Sequence, residues 1–354
     1  MPAQGAQPAL EGVDLVKHYP APGAGRGRVV HALDGVSIAL WPGRTLGVVG
    51  ESGSGKSTVA KVLSLLVKPT SGTIRLAGKS VDIGRAQTVR DYHGEVQMVF
   101  QDPFSSLNPA KSIEYTLSRP LYVHGRARTG RQAYEILRDL LTSVGLTPPD
   151  DYLAKYPHEL SGGQRQRVGF ARALASGGRV LLADEPVSML DVSIRAGILN
   201  LMARLRDENA LALLYITHDL ASARYLSDDI MVMYAGEVVE FGPADEVVGD
   251  ALHPYTRLLL ASVPDPEAGL REDSATTVAA LGEAPNMASP PAGCRFHPRC
   301  PYATDICRSE PPPTGQRGAH WVRCHLYDRA ALLREPLPMA ASLAQPATTA
   351  TPEA

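Results

Sequence analysis

Two short runs in this chain combine residue types and spacings suited to phosphate chemistry. The first is Gly50-Glu51-Ser52-Gly53-Ser54-Gly55-Lys56-Ser57-Thr58. It fits the pattern G-x-x-x-x-G-K-[ST], in which a glycine-rich loop turns backbone N–H groups toward phosphate oxygens. Gly50, Gly53 and Gly55 keep Cβ atoms out of that approach. The helix expected to start inside the loop adds its N-terminal dipole. Lys56 is expected to reach the β- and γ-phosphates, and Ser57 to ligate Mg²⁺. The second run, Val180-Leu181-Leu182-Ala183-Asp184-Glu185, is an apolar strand ending in two carboxylates. Ligands of open α/β sheets bind at such strand ends. Asp184 is placed to hold the Mg²⁺ shell and Glu185 to orient and polarise an attacking water. Taken singly, the runs have plain alternatives, a chance glycine-rich turn and a solvated acidic turn. Their occurrence together argues against both.

The elements that must position these residues follow from periodicity. Residues 13–19 read as a strand, and residues 29–40 as a half-exposed antiparallel strand with Val36, Ile38 and Leu40 alternating. Residues 45–49 are short, β-branched and apolar, as in a strand buried on both faces. A helix should run from the glycine-rich loop to about residue 66. Residues 72–76 and 96–100 are further strands. Between residues 105 and 156 the pattern becomes helical. Ala133, Leu137, Leu140, Leu141 and Val144 share one face of a helix over 131–144, with Gly145 as its C-cap. Strands at 179–183, 211–216, 230–234 and 237–241 then alternate with helices at 193–207 and from 219 onward. Pro243 and His253-Pro254 open two further helical stretches. This alternation implies a mainly parallel sheet. Residues 1–10 and 336–354 are expected to be disordered, and residues 263–291 read as a linker.

The 354 residues are 44% hydrophobic and 20% charged, with a net charge of -2. That balance gives no global electrostatic case for binding nucleic acid. No segment has the ~20 continuous apolar residues of a membrane-spanning helix, and the first ten residues lack a secretion-signal pattern. A cytosolic location is expected, with any membrane contact made through partners.

Between the two phosphate-handling runs lies Leu160-Ser161-Gly162-Gly163-Gln164. With them it resembles the ATP-binding subunit of an ABC transporter over about residues 10–263. The resemblance implies an α/β fold, the P-loop NTPase ABC cassette: a RecA-like parallel core with an antiparallel β subdomain and a helical subdomain at about 104–175. The cassette would span 11–250, followed by an extension at 251–335. Ser161, Gly162, Gly163 and Gln164 match the signature motif, which caps ATP bound by an opposite cassette. Asp191 matches the D-loop, Gln101 the Q-loop glutamine contacting Mg²⁺, and His218 the switch histidine sensing the γ-phosphate. Tyr19 matches the aromatic residue that stacks on adenine. ATP and Mg²⁺ are the implied ligands. Glu185, His218 and Lys56 are the implied catalytic residues of an ATP hydrolase.

The segment Val96-Gln97-Met98-Val99-Phe100-Gln101-Asp102-Pro103-Phe104-Ser105-Ser106-Leu107-Asn108-Pro109 resembles the dipeptide and oligopeptide importers, as does Glu185-Pro186-Val187-Ser188-Met189-Leu190-Asp191. The resemblance implies a second ATPase subunit, a paralogue or a copy. It further implies two membrane permease subunits contacting residues 104–121, and an extracytoplasmic solute-binding protein. The chain would sit peripherally on the cytoplasmic face of the membrane. Nickel, glutathione or oligosaccharide are the alternative cargoes in that subfamily. A soluble ABC ATPase acting on nucleic acid or ribosomes is the rival class, usually marked by two fused cassettes or a long coiled coil.

Cys294, Cys300, Cys307 and Cys324 have the spacing C-x5-C-x6-C-x16-C. Four thiols so close together in a cytosolic chain point to a metal rather than disulfides. The spacing lacks the C-x2-C pair of structural zinc. It resembles the C-terminal motif of the peptide-importer ATPases, at about 290–328 here, for which a [4Fe–4S] cluster is the implied ligand. Zinc and metal-free thiols are the alternatives, with His297, His320 and His325 as reserve ligands.

Overall fold

Three runs with every residue buried, in the strands Thr45–Val49, Val180–Asp184 and Ala212–Thr217, set the centre of the molecule. The computed structural model describes residues 7–21, 28–102, 107–262 and 284–327. The elements begin β1 (Leu10–Pro20), β2 (Val29–Leu40), β3 (Thr45–Val49), α1 (Lys56–Leu63), β4 (Ser71–Leu76), β5 (Lys79–Ser80), α2 (Ala86–Glu95) and β6 (Val96–Val99). There follow α3 (Ile113–Val123), α4 (Gly130–Ser143), α5 (Asp150–Leu153), α6 (Gly162–Ala175), β7 (Val180–Asp184), α7 (Val192–Asn209), β8 (Ala212–Thr217) and α8 (Leu220–Leu226). The remainder is β9 (Asp229–Tyr234), β10 (Glu237–Pro243), α9 (Ala244–Gly249), α10 (Pro254–Ala261), α11 (Ile306–Ser309), β11 (Thr314–Arg317) and β12 (His320–Arg323).

Strands β9, β3, β8, β7 and β6 lie side by side in parallel. Strands buried on both faces are what such a sheet requires. A second, antiparallel sheet has the order β2-β1-β4-β5. The helical stretch forms a third layer, in which Leu117, Leu121, Leu137, Leu141 and Phe170 share one apolar core. Helix α4 buries the face expected of it, and Thr129 caps it by accepting the Gln132 N–H.

The structure departs from expectation in two places. Strand β1 begins at Leu10, inside the segment expected to be disordered, because fully buried Leu10 pairs with both Leu40 and Leu76. Helix α1 ends at Leu63 rather than near 66, where Leu65 turns to a left-handed φ of 57°. The β11–β12 hairpin, beyond the cysteine-bearing loop, pairs antiparallel with β10 and continues the main sheet. Buried Glu240 fastens it, accepting from His320 Nε2 at 2.7 Å and from the backbone N–H groups of Leu252 and His253. Residues 1–6, 104–106, 263–283 and the tail at 336–354 lie outside the described residues. Among the described residues no helix is long and apolar enough to cross a membrane.

His253 caps α10, its Nδ1 accepting the Tyr255 N–H at 3.0 Å. That bond requires a neutral ring, and burial holds the pKa down to about 4. The unfolded chain takes the same proton near pH 6.5. Between those values the unfolded state binds more protons, so stability is full above about pH 6.5 and falls as pH drops toward 4. Urea unfolding should show this acid-side loss. In His253→Asn, which keeps a capping acceptor, the loss should shrink by up to about 3 kcal/mol.

Candidate nucleotide site

The loop between β3 and α1 is shaped by close backbone approach. Gly50 has φ of 154°, and a Cβ there would stand 2.2 Å from the Met233 carbonyl oxygen on β9. Lys56, at the first position of α1, is buried and donates to the carbonyls of Gly50 and Glu51, each at 2.7 Å. Burial lowers its pKa, and the carboxylates of Glu185, Asp184 and Glu51 oppose that shift. Ser57 Oγ donates to Asp184 Oδ1 at 2.9 Å across the gap between α1 and the end of β7. Burial raises the Asp184 pKa, and the Ser57 hydrogen bond works against it. These hard oxygen donors fit Mg²⁺, which takes one or two protein oxygens and keeps several waters.

Glu185 follows β7 with a left-handed φ of 46°. Such backbone is costly for a non-glycine residue and clusters at functional sites. The turn aims its carboxylate at two neighbours: Oε2 accepts from Gln101 Nε2 at 2.9 Å and lies 3.5 Å from His218 Nδ1. Gln101 follows β6 and His218 follows β8, so three adjacent parallel strands deliver three polar groups to one point. A cavity of about 670 Å³ joins Ser52, Gly53, Gly55, Lys56, Ser57 and Thr58 with Gln101, Glu185 and His218. Ser54 is buried behind it, its Oγ 3.5 Å from Lys56 Nζ.

Tyr19 is not among the residues lining this cavity. It stands opposite Val30 in the β1–β2 register, and Val30 does line it. Sequence reasoning missed His31 and Met287 in the lining. Met287 comes from the C-terminal segment and accepts the His31 N–H through its carbonyl at 2.9 Å. No local motif marks either residue. His31 also joins His18 and Asp34 in the one group among the described residues whose metal-ligating atoms all lie within 4.8 Å. The Asp34 carboxylate there already accepts from the Arg295 guanidinium, which opposes a further cation.

The residues from Ser161 to Gln164 and Asp191 lie outside this cavity. Ser161 caps α6, its Oγ accepting from the Gln164 N–H at 3.3 Å while Gln164 Oε1 accepts from the Ser161 N–H at 2.9 Å. The capping box leaves Ser161 exposed at a helix N-terminus. Gly163 packs so tightly on α7 that a Cβ would lie 2.7 Å from Ile194 Cγ2. Asp191, exposed, precedes α7. The four cysteines line one cavity of about 90 Å³ together with His297 and His325, whereas His320 is buried against Glu240. Burial pushes the Cys300 thiol up to about 11 and Cys324 up to about 12.

The model of the ABC transporter family matches residues 33–188. That of the oligopeptide/dipeptide transporter C-terminal region matches residues 239–307. The chain is 44% identical to the di/tripeptide transport ATP-binding protein DppF of Pseudomonas aeruginosa, over 88% of this chain and 95% of that one. The chain belongs to the ABC transporter family. This ABC ATPase is also 42% identical to the oligopeptide transport ATP-binding protein AppF of Bacillus subtilis, over 92% of its own length and all of the relative. Among solved structures it resembles CbiO1 of Clostridium perfringens, part of the ABC transporter complex CbiONQ, with a TM-score of 0.60 and 26% identity. The match covers 69% of this chain and 92% of that one. It equally resembles the dimeric cassette MJ0796 bound to ADP and Pi, with a TM-score of 0.59 and 26% identity over 66% of this chain and 98% of that one.

In this ABC ATPase, Gly50→Ala must drive the loop away from β9. ATP affinity, measured by titration with a fluorescent ATP analogue, should fall by at least about tenfold, the cost of a strained backbone plus a forced displacement.

Proposed function

We propose that this chain is the ATP-hydrolysing subunit of a membrane importer for di- and oligopeptides, working as one of two cassettes that close on shared ATP. The observation that carries this is the division of its phosphate-handling residues. Lys56, Ser57, Gln101, Asp184, Glu185 and His218 converge on one region, while Ser161, Gly162, Gly163, Gln164 and Asp191 are presented elsewhere. A chain carrying both sets, separated, can supply one half to each of two shared sites. The dimeric form of the MJ0796 cassette supports the same arrangement.

In this mechanism the loop from Gly50 to Thr58 holds the triphosphate, and Lys56 leaves its loop carbonyls to pair with β- and γ-phosphate oxygens. Tyr19 packs on the adenine beside Val30. Ser57 and Gln101, with Asp184 behind, would hold Mg²⁺, which would supply positive charge against the triphosphate. Glu185 orients the attacking water, and His218 stabilises charge developing on the γ-phosphate. Ser161 and the N–H groups at the start of α6 complete the partner's site, as an exposed helix N-terminus can.

The peptide cargo is supported by the relatives named DppF and AppF and by the matched C-terminal region. It brings with it two permease subunits, a solute-binding protein and a peripheral place on the cytoplasmic face. The partner cassette is a paralogue in this reading, and no nucleic acid is involved. The structural units are a cassette over 11–250 and an extension over 251–335. In the extension Cys294, Cys300, Cys307 and Cys324 hold a [4Fe–4S] cluster. The four cysteines line one cavity, which supports a single shared metal group. Buried thiols with raised pKa values also need a positive centre to become thiolates.

Glu185→Gln should abolish turnover while keeping ATP binding and trapping the closed dimer, read by size-exclusion chromatography with ATP. Wild-type hydrolysis in that variant would sink the role given to Glu185. Loss of di- and oligopeptide uptake on deleting the gene tests the cargo. Anaerobically purified protein should be brown, with iron and sulfide; colourless zinc-loaded protein would reject the cluster.

A further inference from the structure

The loop carrying Cys294 and Cys300 sends two buried arginines into the cassette. Arg295 reaches Asp34 in the middle of β2, the Ala235 carbonyl and Glu237. Arg299, only 5% exposed, reaches the ATP loop itself. Its Nη1 donates to Glu51 Oε2 at 2.8 Å and its Nη2 to Glu51 Oε1 at 3.0 Å, a two-pronged charge-assisted pair. The Glu51 N–H donates to Tyr255 Oη at 2.7 Å. Tyr234, Tyr255 and Phe296 pack as a buried aromatic trio beneath these contacts, with ring centroids 4.6 to 5.5 Å apart. Phe296 belongs to the cysteine loop, Tyr234 to β9 and Tyr255 to α10. Cys294 and Cys300 pack against the same cluster. Glu51 is thus held at its carboxylate and its backbone by groups of the C-terminal region. Its own carbonyl accepts from Lys56 Nζ.

We propose that Arg299 is a positioning residue for the ATP site. Through Glu51 it fixes the loop that presents Lys56, so the folded state of the four-cysteine segment sets the affinity for ATP. This rests on the reading of residues 50–58 as the phosphate-binding loop. The coupling is reciprocal: whatever loosens the loop at Glu51 loosens the cysteine segment as well. The chemistry is confined to one guanidinium–carboxylate fork. Lysine cannot reproduce it, because an ammonium lacks the planar pair of donors.

The test is a double-mutant cycle in the full-length chain with Arg299→Lys, Glu51→Gln and the pair together. ATP affinity is read with a fluorescent ATP analogue, and steady-state hydrolysis supplies KM and kcat. Each single change should weaken ATP binding roughly tenfold, the worth of one charge-assisted hydrogen bond. In Arg299→Lys, KM should rise with it and kcat at saturating ATP should be retained. The double variant should bind no more weakly than the worse single one. Additive losses, or unchanged affinity in Arg299→Lys, would overturn the proposal. If Arg299→Lys does not fold, Glu51→Gln decides through limited proteolysis of residues 284–327, whose sequence it leaves untouched. Faster cleavage there supports the link, and wild-type protection refutes it. Lys56→Ala separates the two levels: if it retains ATP binding, the loop reading fails. If it loses binding while the cycle shows no coupling, only the role of Arg299 fails.

Discussion

The side-by-side placement of four parallel strands is the constraint on which the rest of this structure depends. Strands β3, β8, β7 and β6 end at the same edge of the sheet, and each hands one piece of chemistry to the turn that follows it. Those pieces are the glycine-rich loop, His218, the Asp184-Glu185 pair and Gln101. Hydrogen bonding between strands about 4.8 Å apart fixes the spacing of these turns before any side chain is considered. Burial on both faces of β3, β7 and β8 makes that spacing stiff. The polar groups can then be preorganised around one carboxylate with little cost at the moment of use.

The starts of α6 and α7 lie outside the cavity at the strand ends. Helix α6 sits on the helical layer, and its N-terminus with Ser161 is exposed. Tight contact of Gly163 with Ile194 ties that layer to α7, and α7 begins at Asp191. Ser161 and Asp191, proposed to serve the opposite site, stand at the starts of these two packed helices, while Gln101 and His218, proposed for the chain's own site, meet at Glu185.

Much of this was legible in the sequence because it is local. The alternation of Val36, Ile38 and Leu40, the unbroken apolar run of β7 and the heptad-like face of α4 each encode an element within a dozen residues. The glycine-rich loop and the carboxylate pair announce their chemistry by composition. What escaped notice is non-local. Arg299 meets Glu51 across 248 residues of chain, and Met287 meets His31 across a similar span. Neither end of these contacts carries a motif. The pairing of β12 with β10 also left no trace in periodicity, since a four-residue hairpin strand is too short to show alternation. The left-handed turn at Glu185 falls on a residue type that does not favour it, so composition gives no sign of it.

The hairpin that follows the cysteine loop has a consequence for the edge of the main sheet. Strand β10, with Val238, Val239 and Phe241, would be the open rim of the sheet without it. An unpaired apolar rim is a template for association with other chains. The hairpin pairs with it at Glu240 and Phe241 and leaves Thr314, Gly315, Gln316 and Arg317 as the rim there, short and polar. A version of this protein cut after α10 would therefore carry an adhesive margin along its central sheet. The C-terminal segment is a selvedge as much as an appendage, and trimming it frays the fabric it finishes.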